Sequence, residues 1–269
     1  MTDKYAVIGN PIAHSKSPQI HKMFAEQTGQ DISYEAILAP PDSFAVTIER
    51  LHKAGYKGCS VTVPFKFEAF QSATQLSSRA QSAKAVNTLK FDADTILGDN
   101  TDGAGLVRDI ESNLGFPLNG LRVLLMGAGG ATYGAVLPLL DAGVKLSVVN
   151  RTLNKAQQLG EAFSAKGHIT VFGYADLEGK TFDCVINATS SSLSDEMLPL
   201  LPGLFAPGAL AYDMMYGRET PFMKFAREQG AVIVSDGLGM LVEQAAEAFY
   251  IWRDIRPDTA PVIAALRKP

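Results

Sequence analysis

Short runs of aliphatic and β-branched residues alternate with longer segments whose apolar positions recur at helical spacing, almost from one end of the chain to the other. That alternation is the mark of an α/β architecture with mainly parallel strands. It falls into two units. In the first, the pattern predicts strands at 5–9, 33–39, 58–63 and 86–91, with helices near 18–29, 42–54 and 67–72. A helix over about 102–114 then leads into Gly115, Pro117 and Gly120, turn formers that suit a boundary. In the second, strands are predicted within 122–127, 145–151, 169–174, 183–189, 209–216 and 231–237, and helices near 131–142, 153–166 and 221–229. Runs such as RVLLM are apolar without interruption, which implies burial on both faces. MLVEQAAEAFYIWRDI, residues 240–255, reads as one amphipathic helix ending before Pro257, and a short helix near 260–267 follows. Both C-terminal helices are expected to pack back on the first unit. The expected division is therefore 1–101 with 238–269 as one α/β domain and 102–237 as a Rossmann-like domain, entered through a connecting segment at 102–120.

Composition narrows the class without changing that picture. At 269 residues, 46% hydrophobic and 19% charged, the chain is globular and long enough for two cores. A net charge of −4 with no basic cluster leaves no footprint for nucleic acid or for a membrane surface. The two cysteines, Cys59 and Cys184, lack metal-ligand spacing and read as buried small hydrophobes in a reducing compartment. The opening MTDKYAVIGN has no basic segment before a long apolar one, so a soluble cytoplasmic protein is expected, monomer or homodimer. The four histidines, His14, His21, His52 and His168, are scattered, and no metal site is expected. Trp252 reads as core.

The chemistry begins at the second unit's first strand. LRVLLM runs straight into Gly127, Ala128, Gly129, Gly130 and Ala131, with Thr132 in the third glycine's place, and a helix follows. Strand, glycine turn, helix is the order that lets backbone N–H groups and a helix N-terminus meet a pyrophosphate. About 20 residues on, where NAD enzymes carry an acidic residue for the ribose hydroxyl, this chain has Asn150, Arg151, Thr152 and then Lys155. Those groups suit the extra phosphate of NADP. The plainer reading, helix capping by Asn150 and Thr152 beside solvated cations, is compatible with that role.

In the first unit, the loop GNPIAHSKSP precedes an amphipathic helix, with Ser17 expected at its N-cap and Pro18 at the first helical position. The hydroxyls of Ser15 and Ser17 beside a helix N-terminus make a site for a carboxylate. SVTVPFK presents Lys66 at the carboxyl end of a strand, where ligands of open α/β sheets bind. AVNT (85–88) and GDNTDG (98–103) place polar clusters at strand ends, and a polyhydroxylated ligand would satisfy them.

Taken in order, GNPIAHSKSP, VTVPFK, AVNT, GDNTDG, GAGGA, NRT, NATS and DGLGMLVEQAAEAF resemble the shikimate dehydrogenase family across nearly the whole chain. The resemblance implies NADPH-dependent reduction of 3-dehydroshikimate to shikimate in aromatic amino acid biosynthesis, with Lys66 and Asp102 as the catalytic pair. It implies Ser15 and Ser17 on the substrate carboxylate and Thr62, Asn87 and Gln244 on the ring hydroxyls. Tyr216 is similar to a family tyrosine near the substrate, the loop from Asn187 through Thr189 to Ser190 lies beside the cofactor, and Gly237 and Met240 line the nicotinamide. Ketone reduction needs a proton for the developing alkoxide, which Lys66 can supply and Asp102 can orient. Ser60 stands where many relatives have asparagine, Tyr133 where arginine is common, and Ser191 with Ser192 near a common glycine. The competing readings are an NAD-using quinate/shikimate dehydrogenase, against which Arg151 argues, and a non-catalytic NADP-binding sensor, in which Lys66 and Asp102 would have no purpose.

Overall fold

Six strands of the first unit form one sheet, built from β1 (Asp3–Gly9), α1 (Ser17–Thr28), β2 (Ile32–Leu38), α2 (Phe44–Lys53), β3 (Tyr56–Val61), α3 (Lys66–Ser72), β4 (Gln75–Leu76), α4 (Ser78–Ala83), β5 (Thr88–Phe91) and β6 (Ile96–Asp99). The structure, a computed structural model, describes residues 2–189 and 198–268. Strand order is β2-β1-β3-β5-β6-β4. β1 pairs in parallel with β2 and β3, and β4 with β6, whereas β5 runs antiparallel to both its neighbours. The sheet is thus mainly parallel with a single reversed strand. β4, α4 and β6 are absent from the sequence reading, because elements of two to six residues carry too little periodicity to register.

α5 (Asp102–Arg108) continues as a π-helical turn, Asp109–Asn113, where a single uninterrupted helix was expected. The second unit then runs β7 (Arg122–Met126), α6 (Gly130–Asp141), β8 (Lys145–Val149), α7 (Leu153–Ala162), β9 (Ile169–Phe172), a 3-10 turn at Tyr174–Leu177, β10 (Phe182–Asn187), β11 (Phe205–Asp213), α8 (Pro221–Glu228) and β12 (Ile233–Ser235). Its sheet is parallel throughout, in the order β12-β11-β10-β7-β8-β9. This is the doubly wound order, with the switch point between β7 and β10. Val123 and Leu125 of β7 pack on one face with α6 and α7, and Leu124 and Met126 on the other with α8, so both faces are buried as the apolar run implied.

α9 (Leu238–Arg253) and α10 (Ala260–Arg267) complete the chain. The compact units are 1–105 with 241–269, and 106–240. In the first, the sheet lies between two layers. Ala6, Ile8, Cys59 and Val61 face α2 and α3, while Ile20 and Phe24 of α1 meet Val242, Ala245, Phe249 and Val262 across the other side. Trp252 is buried in that second layer, stacked on Tyr5 at 4.7 Å and donating from Nε1 to the Leu89 carbonyl at 2.9 Å. Both cysteines are buried and free, and burial pushes their thiols up. Among the described residues no helix is long and apolar enough to cross a membrane, and no cluster could hold a metal.

His21 of α1 is fully buried in the aromatic layer, stacked on Tyr34 at 4.1 Å, and neither ring nitrogen has a hydrogen-bond partner. Burial lowers its pKa from 6.5 to about 3. A depressed folded-state value means that the unfolded chain takes up the proton first. The stability tied to neutral His21 is therefore complete above pH 6.5 and is lost as pH falls toward 3. The expected loss is about 1.4 kcal/mol per pH unit in that window. Denaturant titrations at several pH values should show this slope, and His21→Leu should flatten it. An identical slope in the variant would mean that other groups account for it.

Candidate active site

Strand direction decides where the first unit's polar residues can meet. The loop after β1 carries Ser15 and Ser17, the turn after β3 carries Thr62 and Lys66, and the segment after β6 carries Asp102. Because β5 is reversed, it is the residue preceding that strand, Asn87, which reaches the same edge. The motifs found separately in the sequence thus share one end of one sheet.

Lys66, the first residue of α3, donates from Nζ to Asp102 Oδ2 at 2.5 Å, and the two side chains keep 26% and 13% of their exposure, enough to be reached by a ligand. Asp102 opens α5, where an acidic side chain is favoured by the helix dipole. Its other oxygen accepts from Asn87 Nδ2 at 2.9 Å. Asn87 is buried and bonded at both ends of its amide. Nδ2 also points at Thr101 Oγ1 (3.0 Å) and Gln244 Oε1 (3.4 Å), while Oδ1 accepts from the Thr101 N–H (2.8 Å) and the Thr88 hydroxyl (3.0 Å). Lys66, Asp102, Asn87 and Gln244 therefore form one connected group. Thr62 is half-buried, its N–H bonded to the Ile8 carbonyl at 2.9 Å.

The serine loop differs from expectation in one respect. Lys16, not Ser17, holds the N-cap of α1, and Ser17 is the first helical residue. The Ser17 N–H instead donates to Ser15 Oγ at 3.3 Å, so Ser15 takes on the capping role that the sequence suggested for its neighbour. Tyr34 was not anticipated. Its hydroxyl donates to Ser60 Oγ at 2.8 Å, and burial raises its pKa. The signal was hidden because Tyr34 lies on β2, whose alternation reads as an ordinary edge strand.

In the second unit, the predicted nucleotide residues lie on segments that follow the carboxyl ends of parallel strands, with Lys155 in the first turn of α7 and Met240 in that of α9. Gly127 follows β7 with φ +114°, and a Cβ there would stand 3.1 Å from both the Ala188 carbonyl oxygen and Thr132 Oγ1. Gly129 caps α6, and a Cβ at Gly129 or Gly130 would meet nothing within 4 Å. Ala128 is half-buried and Ala131 exposed. The turn thus offers open backbone at a twelve-residue helix's start, and the buried Thr132 hydroxyl beside it has no partner. After β8, Asn150 donates to the Thr152 carbonyl at 2.9 Å, Thr152 is the N-cap of α7 without a side-chain cap bond, and Arg151 and Lys155 are exposed. Arg151 lies near the Tyr174 phenol, whose pKa is pushed up to about 12 by burial against the opposing pull of that guanidinium. No acidic side chain occupies 150–155, so the donor set fits a phosphorylated ribose.

Thr189 is fixed by Asn187, whose Oδ1 accepts from its N–H (3.1 Å) and its hydroxyl (2.7 Å). Ser190, Ser191 and Ser192 lie outside the described residues. Asn187 Nδ2 donates to the buried Asp213 at 3.1 Å, and Asp213 also accepts from Thr220 Oγ1 (2.6 Å) and the Met215 N–H (3.0 Å). Asp213, missed in the sequence, thereby ties the Thr189 turn to the segment bearing half-buried Tyr216. Gly237 bonds the Met215 carbonyl through its N–H at 2.8 Å, and the Met240 N–H reaches the Tyr212 hydroxyl at 3.3 Å. Tyr212 in turn donates to buried Asp109 at 2.7 Å.

Comparison with known proteins places the chain in a family. Residues 7–89 match the model of a shikimate dehydrogenase substrate binding domain, 110–194 that of shikimate / quinate 5-dehydrogenase, and 237–267 that of a shikimate 5'-dehydrogenase C-terminal domain. A shikimate dehydrogenase (NADP(+)) of Methylobacillus flagellatus is 59% identical over 98% of this chain and 99% of its own. Among solved structures, an Ael1 enzyme from Pseudomonas putida superposes with a TM-score of 0.95 at 48% identity, covering 100% of this chain and 99% of that one. A shikimate 5-dehydrogenase of Thermus thermophilus, solved with NADP(H) and shikimate, gives 0.89 at 31% identity and covers 99% of both chains.

The backbone of Gly127 provides a direct check on the glycine turn. Gly127→Ala is expected to lower the unfolding free energy by about 1–3 kcal/mol, since a Cβ is strained at that φ. Chemical denaturation reads this; an unchanged midpoint would mean that the turn relaxes without penalty.

Proposed function

The chain belongs to the shikimate dehydrogenase family, and from that premise we propose that it catalyses the reversible NADPH-dependent reduction of 3-dehydroshikimate to shikimate. The observation that carries the reading to particular atoms is the Lys66–Asp102 pair, 2.5 Å apart and held by Asn87. A bound nicotinamide supplies the hydride for this chemistry. Lys66 holds the proton that the developing alkoxide needs, and Asp102 keeps the ammonium directed. In the oxidative direction the same pair receives the hydroxyl's proton.

Asn87, Gln244 and Thr62 bind the ring hydroxyls, and Ser15 and Ser17 bind the carboxylate, which the positive end of the α1 dipole favours. For the cofactor, Gly127, Ala128, Gly129, Gly130 and Ala131 would hold the pyrophosphate through open backbone. Asn150, Arg151, Thr152 and Lys155 would hold the ribose phosphate, and Thr189, Gly237 and Met240 the nicotinamide end.

Two substitutions separate the roles. Lys66→Ala should lower kcat by about 10²- to 10⁴-fold while the dissociation constant for NADP stays at the wild-type value. Full turnover without Lys66, or a wild type that binds the nucleotide and turns over no shikimate, defeats the catalytic assignment. Arg151→Ala should raise KM for NADPH by about 10- to 150-fold, the equivalent of about 1.5–3 kcal/mol for a charge-assisted contact, and should hardly change KM for NADH. Equal effects on both nucleotides would contradict the phosphate role.

A further inference from the structure

We propose that Arg79 is a positioning residue of the substrate site, its guanidinium clamping the end of β6 that leads into Asp102 to the stretch of α9 that carries Gln244. The inference rests on the reading of Asn87 and Gln244 as substrate contacts. Arg79 lies on α4, outside every motif that the sequence offers. Its Nε and Nη2 donate to the two oxygens of Asp99 at 3.1 and 2.6 Å, and its Nη1 donates to Glu247 Oε1 at 2.9 Å. One planar fork thus spans two carboxylates on two elements.

Each carboxylate stands one step from the site. Asp99 ends β6; its Oδ1 also accepts from Ser77 Oγ at 2.5 Å and the Asn100 N–H at 2.7 Å, and its main-chain carbonyl accepts from the Asn87 N–H at 3.0 Å. Asn100 Oδ1 then accepts the Asp102 N–H at 3.2 Å. Glu247 lies three residues beyond Gln244, on the same face of α9, and is held from its other side by Arg256. The two arms meet at Asn87 Nδ2, which reaches Asp102 Oδ1 at 2.9 Å and Gln244 Oε1 at 3.4 Å. The clamp closes a ring of contacts whose opposite side is the substrate-binding group. Its members are sheltered, with side-chain exposures of 25% for Arg79, 9% for Asp99 and 16% for Glu247, so water does not screen them as it would a surface pair. Burial opposes ionisation of Glu247, yet Arg256 and Arg79 together hold its carboxyl below the usual range. Lysine, a point charge, cannot span both carboxylates.

The test is a double-mutant cycle of Arg79→Lys with Gln244→Ala, read as KM for shikimate and KM for NADP separately, below the lowest melting temperature of the set. Arg79→Lys should raise KM for shikimate by about five- to tenfold and leave that for NADP within about twofold. In the Gln244→Ala background the rise should shrink to about twofold or less. An unchanged KM for shikimate, or the same rise in both backgrounds, overturns the proposal and leaves Arg79 a support of the fold alone. If Arg79→Lys does not fold, Glu247→Gln, which leaves the Asp99 fork intact, is put through the same cycle, with the same pattern expected and the same results overturning it. Wild-type turnover of shikimate with NADP is measured first. Its absence overturns the reaction reading and the clamp with it, whereas turnover with additive effects overturns the clamp alone.

Discussion

The direction of the strands is the constraint from which the rest follows. In a parallel sheet each strand delivers its following loop to the same edge, and that edge is where open α/β sheets bind ligands. In the second unit the glycine turn, the Arg151 segment, the Thr189 turn and the segments bearing Tyr216 and Gly237 follow five different strands and so share one edge. In the first unit the rule holds with one inversion. β5 runs backwards, so the residue before it, Asn87, is delivered to the edge that the others reach from behind. A reversed strand places an amide where a forward strand would have placed its far end.

Delivery alone does not fix a side chain, and here buried polar atoms do so by satisfying one another. An unpaired buried amide or carboxylate is expensive. Asn87 can be buried only because Thr88, Thr101, Asp102 and Gln244 use its donors and its acceptor, and that requirement pins Asp102 against Lys66. Asp213 does the same in the second unit, joining Asn187 to Thr220 and Met215. The same polar groups that would weaken a core thus give each site its rigidity.

What the sequence discloses is what must be local. The glycine turn is legible because strand, glycines and helix are contiguous, and Arg151 because it sits at a fixed offset from them. Lys66 and Asp102 are legible as members of motifs, but their 2.5 Å approach is not, since they are brought together by sheet order across thirty-six positions. Ser17 shows the limit at shorter range. A serine before a proline is a fair N-cap candidate, yet Ser15 two residues earlier supplies the hydroxyl and the helix starts one residue sooner. Arg79 was invisible for a different reason. Asp99 and Glu247 fall within the quoted motifs GDNTDG and DGLGMLVEQAAEAF, but the arginine between them is an ordinary surface residue type, and only its sheltered place beside both carboxylates marks it.

The placement of Asp102 and Gln244 adds one further step. The chain passes from the first unit to the second after Gly105 and returns after Met240, so each of these residues stands within about a turn of a crossing. Around Gly105 the backbones of α5 and α9 approach so closely that an added Cβ would stand 2.6 Å from the Gln244 nitrogen. No side chain fits there, and glycine is what permits the contact. The two crossing segments are therefore packed backbone to backbone within the first unit at the point where they present Asp102 and Gln244. A helix held in that way transmits little local fluctuation to its side chains, and groups that must be held to within about half an ångström of a productive geometry are best mounted on such elements. The placement of Asp102 and Gln244 thus rests on two helices brought into backbone contact where a side chain is missing.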